Sequence, residues 1–405
     1  MRIGKFAEVN GLSIDTIRHY MDLGLIIPEK QGGQYYFDSR CQKALEDILD
    51  FKSMGFRLNE IKTIFYYKGY GKLTHYQEDG YYKTLFMDRY KMVESEIEKL
   101  TEIKAKIEKR IEKLEEDTSN KSSSVGIDIK TLSLFKCVKC NGELTVFEGN
   151  VNNNQILEGK LKCSCGELYS IEDGILKVGS PCEQSEVGFD NNYIGEYINA
   201  TDATYLDNFN KGFEWTCKKI ADCNLNNKIL LELGTGMGFF LRNIYNELPE
   251  DCLYIAVDHN IQRQRFLKNL FERIEYKRNI LFICCDFLEI PIKKKSADIV
   301  FDITGTSNYS FNHEEFLLNL VDSYVKEDGY LFGTYITFKN FGINSLLEGR
   351  YRENFILSNI KNKITGLNYK TIDENTSENI NKGGKYENYF VEGEKIATYC
   401  FYGKR

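Results

Sequence analysis

The stretch Glu232-Leu-Gly-Thr-Gly-Met-Gly238 decides the fold of the C-terminal half of this chain. It follows the apolar run Lys228-Ile-Leu-Leu231 and precedes a segment with a helical pattern, Phe239 to Leu248. A strand, a tight glycine turn and a helix present backbone N–H groups and the positive end of a helix to a nucleotide-like ligand. The turn has neither the G-x-G-x-x-G spacing of dinucleotide-binding folds nor the lysine of a P-loop. The stretch therefore predicts an α/β domain with a nucleoside site of another kind.

Three further strand patterns follow, and each ends in an acid. They are Leu253–Asp258, Ile280–Asp286 and Ala297–Asp302, the last of which runs into the segment Thr304–Tyr309. A carboxylate about twenty residues after the last glycine can accept hydrogen bonds from both ribose hydroxyls. Four strand-end features in this order favour a nucleoside site over an α/β domain with chance acids.

This order of motifs resembles the class I S-adenosylmethionine (SAM) methyltransferases, which have a Rossmann-like α/β fold. The resemblance places Glu232 at the amino-acid end of SAM, Asp258 at its ribose and Asp286 at the adenine amino group. The cofactor-binding residues that it implies are Glu232, Gly234, Thr235, Gly236, Gly238, Asp258, Asp286 and Phe287.

The segment Thr304–Tyr309 is predicted to be a loop after the fourth strand, where this fold places groups near the transferred methyl. Methyl transfer needs alignment and desolvation, and it needs a general base only if the acceptor must lose a proton. The candidate catalytic or positioning residues are Asp302, Asn308, Tyr309 and His313. The Asn/Asp-Pro-Pro-Tyr motif of amino-group methyltransferases is absent, which argues against methylation of DNA amines or glutamine.

Two other parts of this half are expected near the site. Tyr193, Tyr197, Tyr205 and the aromatic residues up to Trp215 form either a lid on the cofactor or ordinary core packing. An insert over residues 340–369 is expected to shape the acceptor site before two strands, 386–390 and 395–402.

The bulk composition limits the function classes. The chain has 405 residues, enough for two or three domains, and a net charge of −7, so any contact with nucleic acid must be local. No signal peptide and no apolar run of membrane-spanning length is visible, which predicts a cytoplasmic protein without a membrane partner. Its twelve cysteines are therefore expected to be reduced or metal-bound.

The first 80 residues show a different pattern. A short helical segment, Ile3 to Val9, is followed by the turn Asn10-Gly11 and by a second helical segment, Ile14 to Met21, with Ser13 as its N-cap. The run Gln31–Phe37 has the pattern of two strands around a glycine turn. A helix-turn-helix with a wing can place its second helix in the major groove of DNA.

This region resembles the DNA-binding domain of the MerR family of transcription regulators. The matching motifs begin with Ile3-Gly-Lys-Phe-Ala and continue through Gly11–Tyr20, Gly24–Pro28 and Gly55–Ile61. The wing lacks the arginine that is usual in the family. Either that phosphate contact is lost and the affinity for DNA is lower, or Lys30 or Arg40 makes the contact instead. The candidate DNA-binding residues are Lys5, Thr16, Arg18, His19, Tyr20, Lys30 and Tyr35.

A long helix with a heptad repeat is predicted over residues 81–117. The seam positions are Val93, Ile97, Leu100, Lys104, Ile107, Ile111 and Leu114. One apolar stripe on a charged helix indicates a coiled coil and favours a homodimer, with packing on the same chain as the alternative. The Ser-rich run that follows predicts a flexible linker over 118–130.

Two cysteine pairs predict a metal site. Cys137 and Cys140 form a CxxC pair, and Cys163 and Cys165 a tighter CxC pair beyond a predicted hairpin. Four thiolates at two loop tips suit a structural Zn²⁺ ion, and Cys182 is a spare ligand. The segment resembles the small zinc-ribbon modules that accompany methyltransferase domains, and it is assigned to residues 131–182.

The predicted chain is therefore multidomain: a winged helix-turn-helix (1–80), a coiled-coil helix (81–117), a linker, a zinc ribbon and a methyltransferase domain (183–405). The first hypothesis is a regulator that binds double-stranded promoter DNA and whose methyltransferase domain methylates or senses a small molecule. Two alternatives are a ribosomal RNA methyltransferase and an inactive domain that binds SAM only as a signal.

Overall fold

The computed structural model describes residues 1–116, 124–179 and 193–405. The chain divides into two units, Met1–Ser119 and Asn120–Arg405. The spare ligand Cys182, the predicted linker residues 118–123 and the predicted domain boundary after residue 182 lie outside the described residues.

The first unit is helical with one small β-hairpin. Its elements are α1 (Ile3–Val9), α2 (Ile14–Asp22), β1 (Glu29–Gln31), β2 (Gln34–Tyr36), α3 (Ser39–Ser53), α4 (Leu58–Tyr70) and α5 (Gly80–Glu116). The Ser13 hydroxyl accepts the Thr16 N–H at 3.0 Å and so caps α2. Gly32 and Gly33, both with positive φ, turn β1 into β2. The predicted winged helix-turn-helix is confirmed.

One hydrophobic core holds the helices of this unit together. Phe6 on α1, Ile17 on α2, Leu45 on α3 and Ile61 on α4 are all fully buried. Their spacing on each helix puts one apolar face toward the others. The burial of these side chains fixes the turn between α1 and α2 and therefore the direction of α2.

The apolar stripe of the long helix α5 is exposed to solvent. The apolar seam side chains are each between 41% and 59% exposed; they are Val93, Ile97, Leu100, Ile107, Ile111 and Leu114. Lys104, the polar seam position, pairs with Glu108 at 3.5 Å. An apolar stripe of this length on a charged helix needs a partner surface.

The second unit is built on a sheet. Its strands are β3 (Ile127–Asp128), β4 (Leu144–Asn152), β5 (Gln155–Cys163), β6 (Leu168–Glu172), β7 (Ile175–Lys177), β8 (Ile229–Leu233), β9 (Leu253–Asp258), β10 (Ile280–Cys284), β11 (Ala297–Ile303), β12 (Val325–Asn340), β13 (Lys370–Thr376) and β14 (Lys395–Lys404). Its helices are α6 (Tyr193–Ala200), α7 (Ala203–Ala221), α8 (Phe239–Ile244), α9 (Ile261–Glu272), α10 (Gly305–Ser310), α11 (Leu317–Val321) and α12 (Leu357–Gly366).

The described strands of the second unit form one mixed sheet, in the order β13-β14-β12-β11-β8-β9-β10-β7-β6-β5-β3, with β4 paired to β5. Five neighbouring strands are parallel, in the order β12, β11, β8, β9 and β10, so their carboxyl ends meet at one edge of the sheet. The chain order reverses between β8 and β11, and ligands bind at such a switch point in open α/β sheets. β8, β9, β10 and β11 are buried almost throughout because helices cover both faces.

The cysteine-bearing strands are continuous with the main sheet. β7 pairs in parallel with β10, with Phe282 opposite Ile175. β3, which lies within the range 118–130 that the sequence assigned to a linker, pairs with β5. The Lys268 ammonium, which is fully buried on α9, pairs with Asp173 in the turn between β6 and β7. The ribbon strands and the main sheet therefore form one structure.

Two sequence-based assignments in the second unit were wrong. Residues 386–390 form no strand, and the strand beside β14 is the polar segment Lys370–Thr376. This segment is an edge strand with mostly exposed side chains, so it lacks an apolar pattern. The segment after β11, predicted as a loop, is largely the short helix α10.

Candidate cofactor, metal and DNA-binding sites

The glycine loop between β8 and α8 requires glycine at three positions. Gly234, Gly236 and Gly238 have positive φ angles of 75°, 56° and 69°, respectively. The N–H groups of Gly234 and Thr235 donate to the Val257 carbonyl at 3.0 and 2.9 Å. A Cβ on Gly234 would lie 3.3 Å from the ring of Phe287. The loop is therefore a shallow cradle of backbone with an aromatic ring beside it.

Glu232 lies under this loop at the end of β8. Its side chain is buried, and its Oε2 atom has no hydrogen-bond partner within the described chain. Burial raises the pKa of the carboxyl to about 7, while the side chains of Tyr254 and Thr235 oppose this shift. A buried carboxylate oxygen without a donor is costly unless a ligand supplies one.

Asp258 ties the loop to the next helix. Its Oδ2 accepts the Gly236 N–H at 2.8 Å, and its Oδ1 accepts the Asn260 N–H at the same distance. Asn260 in turn caps α9. The sequence pointed to a ribose contact at this residue, and it gave no sign of this second role in shaping the loop. Each oxygen keeps a lone pair for a further donor.

Asp286 and Phe287 follow β10 at the same edge of the sheet. Asp286 is exposed, and its Oδ1 accepts the Leu288 N–H at 2.9 Å. The Phe287 ring stands edge-on to Tyr309, with 6.4 Å between ring centroids. The predicted cofactor residues of β8, β9 and β10 therefore share one edge, as the parallel sheet requires.

The candidate catalytic residues have very different surroundings. Asp302 is fully buried, and its Oδ1 accepts the Thr306 N–H at 2.7 Å, so it fastens α10. Burial raises the pKa of Asp302 to about 6. Asn308 is exposed, and the half-buried Tyr309 ring stacks on His313 at 3.8 Å. One oxygen of Asp302 therefore fastens α10, while its Oδ2 has no hydrogen-bond partner among the described residues. Asn308 and Tyr309 are candidates with exposed surface.

The aromatic stretch before the glycine loop divides into two groups. Phe213 is buried in the core, as ordinary packing predicts. Tyr197 lies against Phe239, the residue directly after Gly238, with 5.3 Å between ring centroids. The ring of Tyr386, in the loop before β14, lies 5.7 Å from that of Tyr197, a long-range contact that no sequence pattern predicts.

The four cysteines of the two pairs lie together. Their Sγ atoms are within 4.8 Å of one another, and the Cys137–Cys165 and Cys140–Cys163 distances are 3.7 and 3.4 Å. A tetrahedron with metal–sulfur bonds of about 2.3 Å has sulfurs about 3.8 Å apart. The cluster could therefore hold a metal ion.

A tyrosine supports this cluster from beneath. The buried Tyr169 hydroxyl donates to Cys137 Sγ at 3.2 Å and accepts the Val138 N–H at 3.0 Å. Burial opposes ionisation of Cys137, but hydrogen bonds from Tyr169 and from the backbone of Cys140 and Lys139 lower the pKa of its thiol to about 6. A thiol that ionises readily suits a metal ligand.

The predicted DNA-binding residues lie on α1, α2 and the wing. Lys5, Arg18, His19, Lys30 and Tyr35 are exposed, and Thr16 is half-buried at the start of α2. Arg18 pairs with Asp15 at 3.1 Å, an exposed contact that a phosphate can replace. Tyr20 differs from the prediction because its ring is only 2% exposed, in the core, with Lys52 donating to its hydroxyl. Tyr20 is therefore a core residue and not an open DNA contact.

Comparison with known families agrees with both halves. Residues 1–68 match the MerR HTH family regulatory proteins, and residues 224–392 match a methyltransferase domain family. The chain carries a MerR helix-turn-helix domain and a methyltransferase domain. The MerR domain is similar to that of the HTH-type transcriptional activator mta of Bacillus subtilis (strain 168), with 38% identity over 66 residues. The match covers 16% of this chain and 25% of that protein, so the chain spans about a quarter of the length of this relative.

Solved structures similar to the methyltransferase half are more distant. One is a SAM-dependent methyltransferase from Aquifex aeolicus, with 16% identity, a TM-score of 0.35, and coverage of 54% of this chain and 99% of that one. Another is phosphoethanolamine N-methyltransferase 2 from Haemonchus contortus, with 13% identity, a TM-score of 0.33, and coverage of 47% and 52%. TM-scores this low say nothing of this chain's substrate. No helix in the described chain is both long and apolar enough to cross a membrane.

Proposed function

We propose that this protein is a transcription regulator that binds promoter DNA through its MerR domain and binds SAM in its methyltransferase domain, where a small molecule is methylated or sensed. The observation that carries the proposal is the glycine loop at the switch point of the sheet, in the same chain as a winged helix-turn-helix. Beneath this loop lies the buried Glu232 carboxyl, whose Oε2 has no hydrogen-bond partner within the described chain.

The residues at the switch point fit SAM. The Glu232 oxygen without a partner suits the ammonium of its amino-acid end, Asp258 its ribose hydroxyls, and Asp286 with Phe287 its adenine. Bound SAM supplies an electrophilic methyl group on a sulfonium. Within the described chain, Asn308 and Tyr309 are the residues we assign to orienting the acceptor beside it.

The cysteine cluster is proposed to hold a structural Zn²⁺ ion. All four ligand positions are filled by Cys137, Cys140, Cys163 and Cys165, which leaves no open position for chemistry. We propose that the zinc module spans residues 124–179 within the described chain and that the methyltransferase domain begins near α6 (Tyr193–Ala200).

A homodimer is proposed through α5. A second copy of this helix would cover the exposed seam from Val93 to Leu114 and place two MerR domains on two half-sites. Replacement of Leu100 by Glu puts a charge into the seam. We expect sedimentation analysis to show a dimer for the natural chain and a monomer for Leu100→Glu. The matched exposed change Glu102→Gln should leave the dimer intact.

The test of the regulator is footprinting of the full chain on the promoter of its own gene. We expect protection of an inverted repeat, and Arg18→Ala on α2 should weaken it by about tenfold or more because a phosphate or base contact is lost. Arg350→Ala, an exposed arginine in the second unit, is the control. A natural chain that protects no repeat excludes the regulator.

The test of the methyltransferase arm is calorimetry with SAM and with its demethylated product, S-adenosylhomocysteine. We expect both to bind, and Glu232→Gln to weaken SAM by about tenfold because a buried charge-assisted hydrogen bond is lost. The same footprint, titrated with SAM, measures whether the cofactor alters DNA binding. If neither SAM nor S-adenosylhomocysteine gives a heat of binding, the proposed cofactor site is excluded, and the footprinting result is unaffected.

A further inference from the structure

A cluster of aromatic side chains with one acid lies beside the glycine loop. The cluster, here called the tyrosine cluster, consists of Tyr193 and Tyr197 on α6, Phe239 at the start of α8, and Tyr386 and Glu387 in the loop between β13 and β14. The Tyr193 and Tyr197 ring centroids lie 6.0 and 5.7 Å from that of Tyr386. Phe239 directly follows the third glycine, so the cluster adjoins the proposed cofactor site.

The loop that carries Tyr386 and Glu387 is fastened to the end of α6. The Lys385 N–H donates to the Ala200 carbonyl at 3.1 Å, and the Thr201 hydroxyl donates to Glu387 Oε2 at 3.3 Å. A Cβ at Gly384 would come within 2.5 Å of the Thr201 Cα. Glycine at this position therefore permits the close approach, which holds the two sides of the cluster together.

The tyrosine cluster contains one buried acidic side chain. Glu387 is only 6% exposed, and within the described chain no lysine, arginine or histidine forms an ion pair with it. The pKa of Tyr197 is raised by burial and then by the charge of Glu387. Lys385 stands 5.3 Å from the Tyr386 ring centroid, so this ring already offers a face to an ammonium. A buried carboxylate is costly unless a positive partner reaches it.

The cluster also lies where an acceptor would have to lie. Tyr205 and Tyr389, whose hydroxyls are 2.9 Å apart, are close enough to Tyr197 and Glu387 for electrostatic interaction. The Tyr389 ring in turn packs on Phe311 at the end of α10. This aromatic band therefore runs from the residues after β8 to the residues after β11. The switch point of the sheet lies between these two strands.

We infer that the tyrosine cluster binds an organic cation and that the methyl acceptor is an amine. The amine binds as its ammonium form and loses a proton to the Glu387 carboxylate, and its nitrogen lone pair then takes the methyl group of SAM, with S-adenosylhomocysteine as the leaving group. Aromatic ring faces and a buried carboxylate together select a positive, weakly hydrated group over a neutral one of the same shape. The inference rests on the proposed methyltransferase function and adds the substrate class to it.

The test is calorimetric titration of the full chain, saturated with S-adenosylhomocysteine, with choline and with its neutral isostere, in which carbon replaces the quaternary nitrogen. We expect choline to bind about tenfold more tightly than the isostere. Glu387→Gln and Tyr386→Leu should each remove most of this preference for choline. Tyr386→Phe, which keeps the aromatic ring, should retain it. Glu392→Gln removes an exposed acid from the same loop and is the control. Circular dichroism melts establish that each variant is folded.

Three results overturn the inference. The first is equal binding of choline and the isostere by a chain that binds S-adenosylhomocysteine, which leaves the proposed function intact. The second is failure of choline to bind, together with a natural-chain preference for SAM over S-adenosylhomocysteine that Glu387→Gln removes. The cation bound by the cluster would then be the sulfonium of SAM and not the acceptor. The third is a preference for choline that Glu387→Gln leaves unchanged. If S-adenosylhomocysteine itself does not bind, the proposed function fails, and the same titration without it still decides whether the cluster selects a cation.

Discussion

The cysteine cluster and the glycine loop are both suited to a bound group, but they are held in place in different ways. The glycine loop is satisfied by the protein itself, since Val257 and Asp258 accept its N–H groups. The cysteine cluster brings sulfurs as near as 3.4 Å to each other, and thiolates at this distance repel unless a cation lies between them. The loop is therefore expected to keep its shape without a ligand, whereas the cluster is expected to depend on its metal.

The largest expected effect is the loss of a cysteine ligand. Cys163→Ser removes one of four thiolates, so we expect bound zinc, measured by atomic absorption, to fall from one ion per chain to a small fraction. Structural zinc sites contribute roughly 10 kcal/mol of folding free energy in isolated peptides, and a loss of several kcal/mol is expected here. Cys217→Ser, a half-buried cysteine outside the cluster, is the control. Retention of one zinc ion per chain by Cys163→Ser would mean that the four cysteines are not the zinc site.

Glu232 gives the glycine loop its largest expected response to pH. Burial raises the pKa of Glu232 from its ordinary value of 4.5 to about 7, so the folded chain keeps a proton that the unfolded chain loses between these values. The stability is therefore lost as pH rises, and we expect Glu232 alone to lower the free energy of unfolding of the ligand-free chain by up to about 3 kcal/mol across this range. Denaturant melts at several pH values measure the fall.

The matched variants isolate the contribution of this residue. Glu232→Gln should remove about half of the fall, because Asp302, whose pKa burial raises from 3.8 to about 6, contributes a fall of similar size and the same sign. Glu392→Gln, an exposed acid, should keep the natural profile. Identical profiles for Glu232→Gln and the natural chain would mean that the carboxyl is not held neutral beneath the loop.

A smaller effect is expected from strain in the loop. Gly236 has a φ of 56°, a conformation that costs an L-residue about 1–2 kcal/mol. In Gly236→Ala the ligand-free loop should relax away from this φ, so SAM binding must restore the strained conformation and should weaken about tenfold. Gly366→Ala at the end of α12, where a Cβ meets no atom within 4 Å, should leave SAM binding unchanged. Calorimetry on both variants distinguishes backbone strain from a general effect of an added methyl group.

The sequence predicted those parts of both sites that depend on local spacing. The glycines of 232–238 and the two cysteine pairs are short patterns, each with one main structural use. The acids at the ends of β9 and β10 could be placed at one edge because the carboxyl ends of parallel strands meet there. The sequence could not predict that Asp258 holds the loop, because this depends on how the acid turns after its strand.

Long-range pairing was the part that the sequence could not give. The three-residue strand β7 joins the cysteine-bearing strands to β10, and a strand this short has no pattern of its own. The aromatic run at 386–390 suggested a strand, yet its rings pack across the loop against α6 and α10. Tyr20 follows Arg18 and His19 on α2, and only the helix phase in the folded unit turns it into the core.

The smallest expected effect comes from one hydroxyl group, and it bears directly on the dependence of the cysteine cluster on its metal. Tyr169→Phe removes the hydrogen bond to Cys137 Sγ and leaves the Val138 N–H without its acceptor, so we expect a loss of about 1 kcal/mol in stability and of about tenfold in zinc affinity. Tyr402→Phe is the matched control because its hydroxyl lies 3.3 Å from Cys223, a cysteine outside the cluster. Competition with a chromogenic chelator measures the affinity. If both variants release zinc at the same chelator concentration as the natural chain, the sulfurs are held by the metal alone and the protein adds no support of its own.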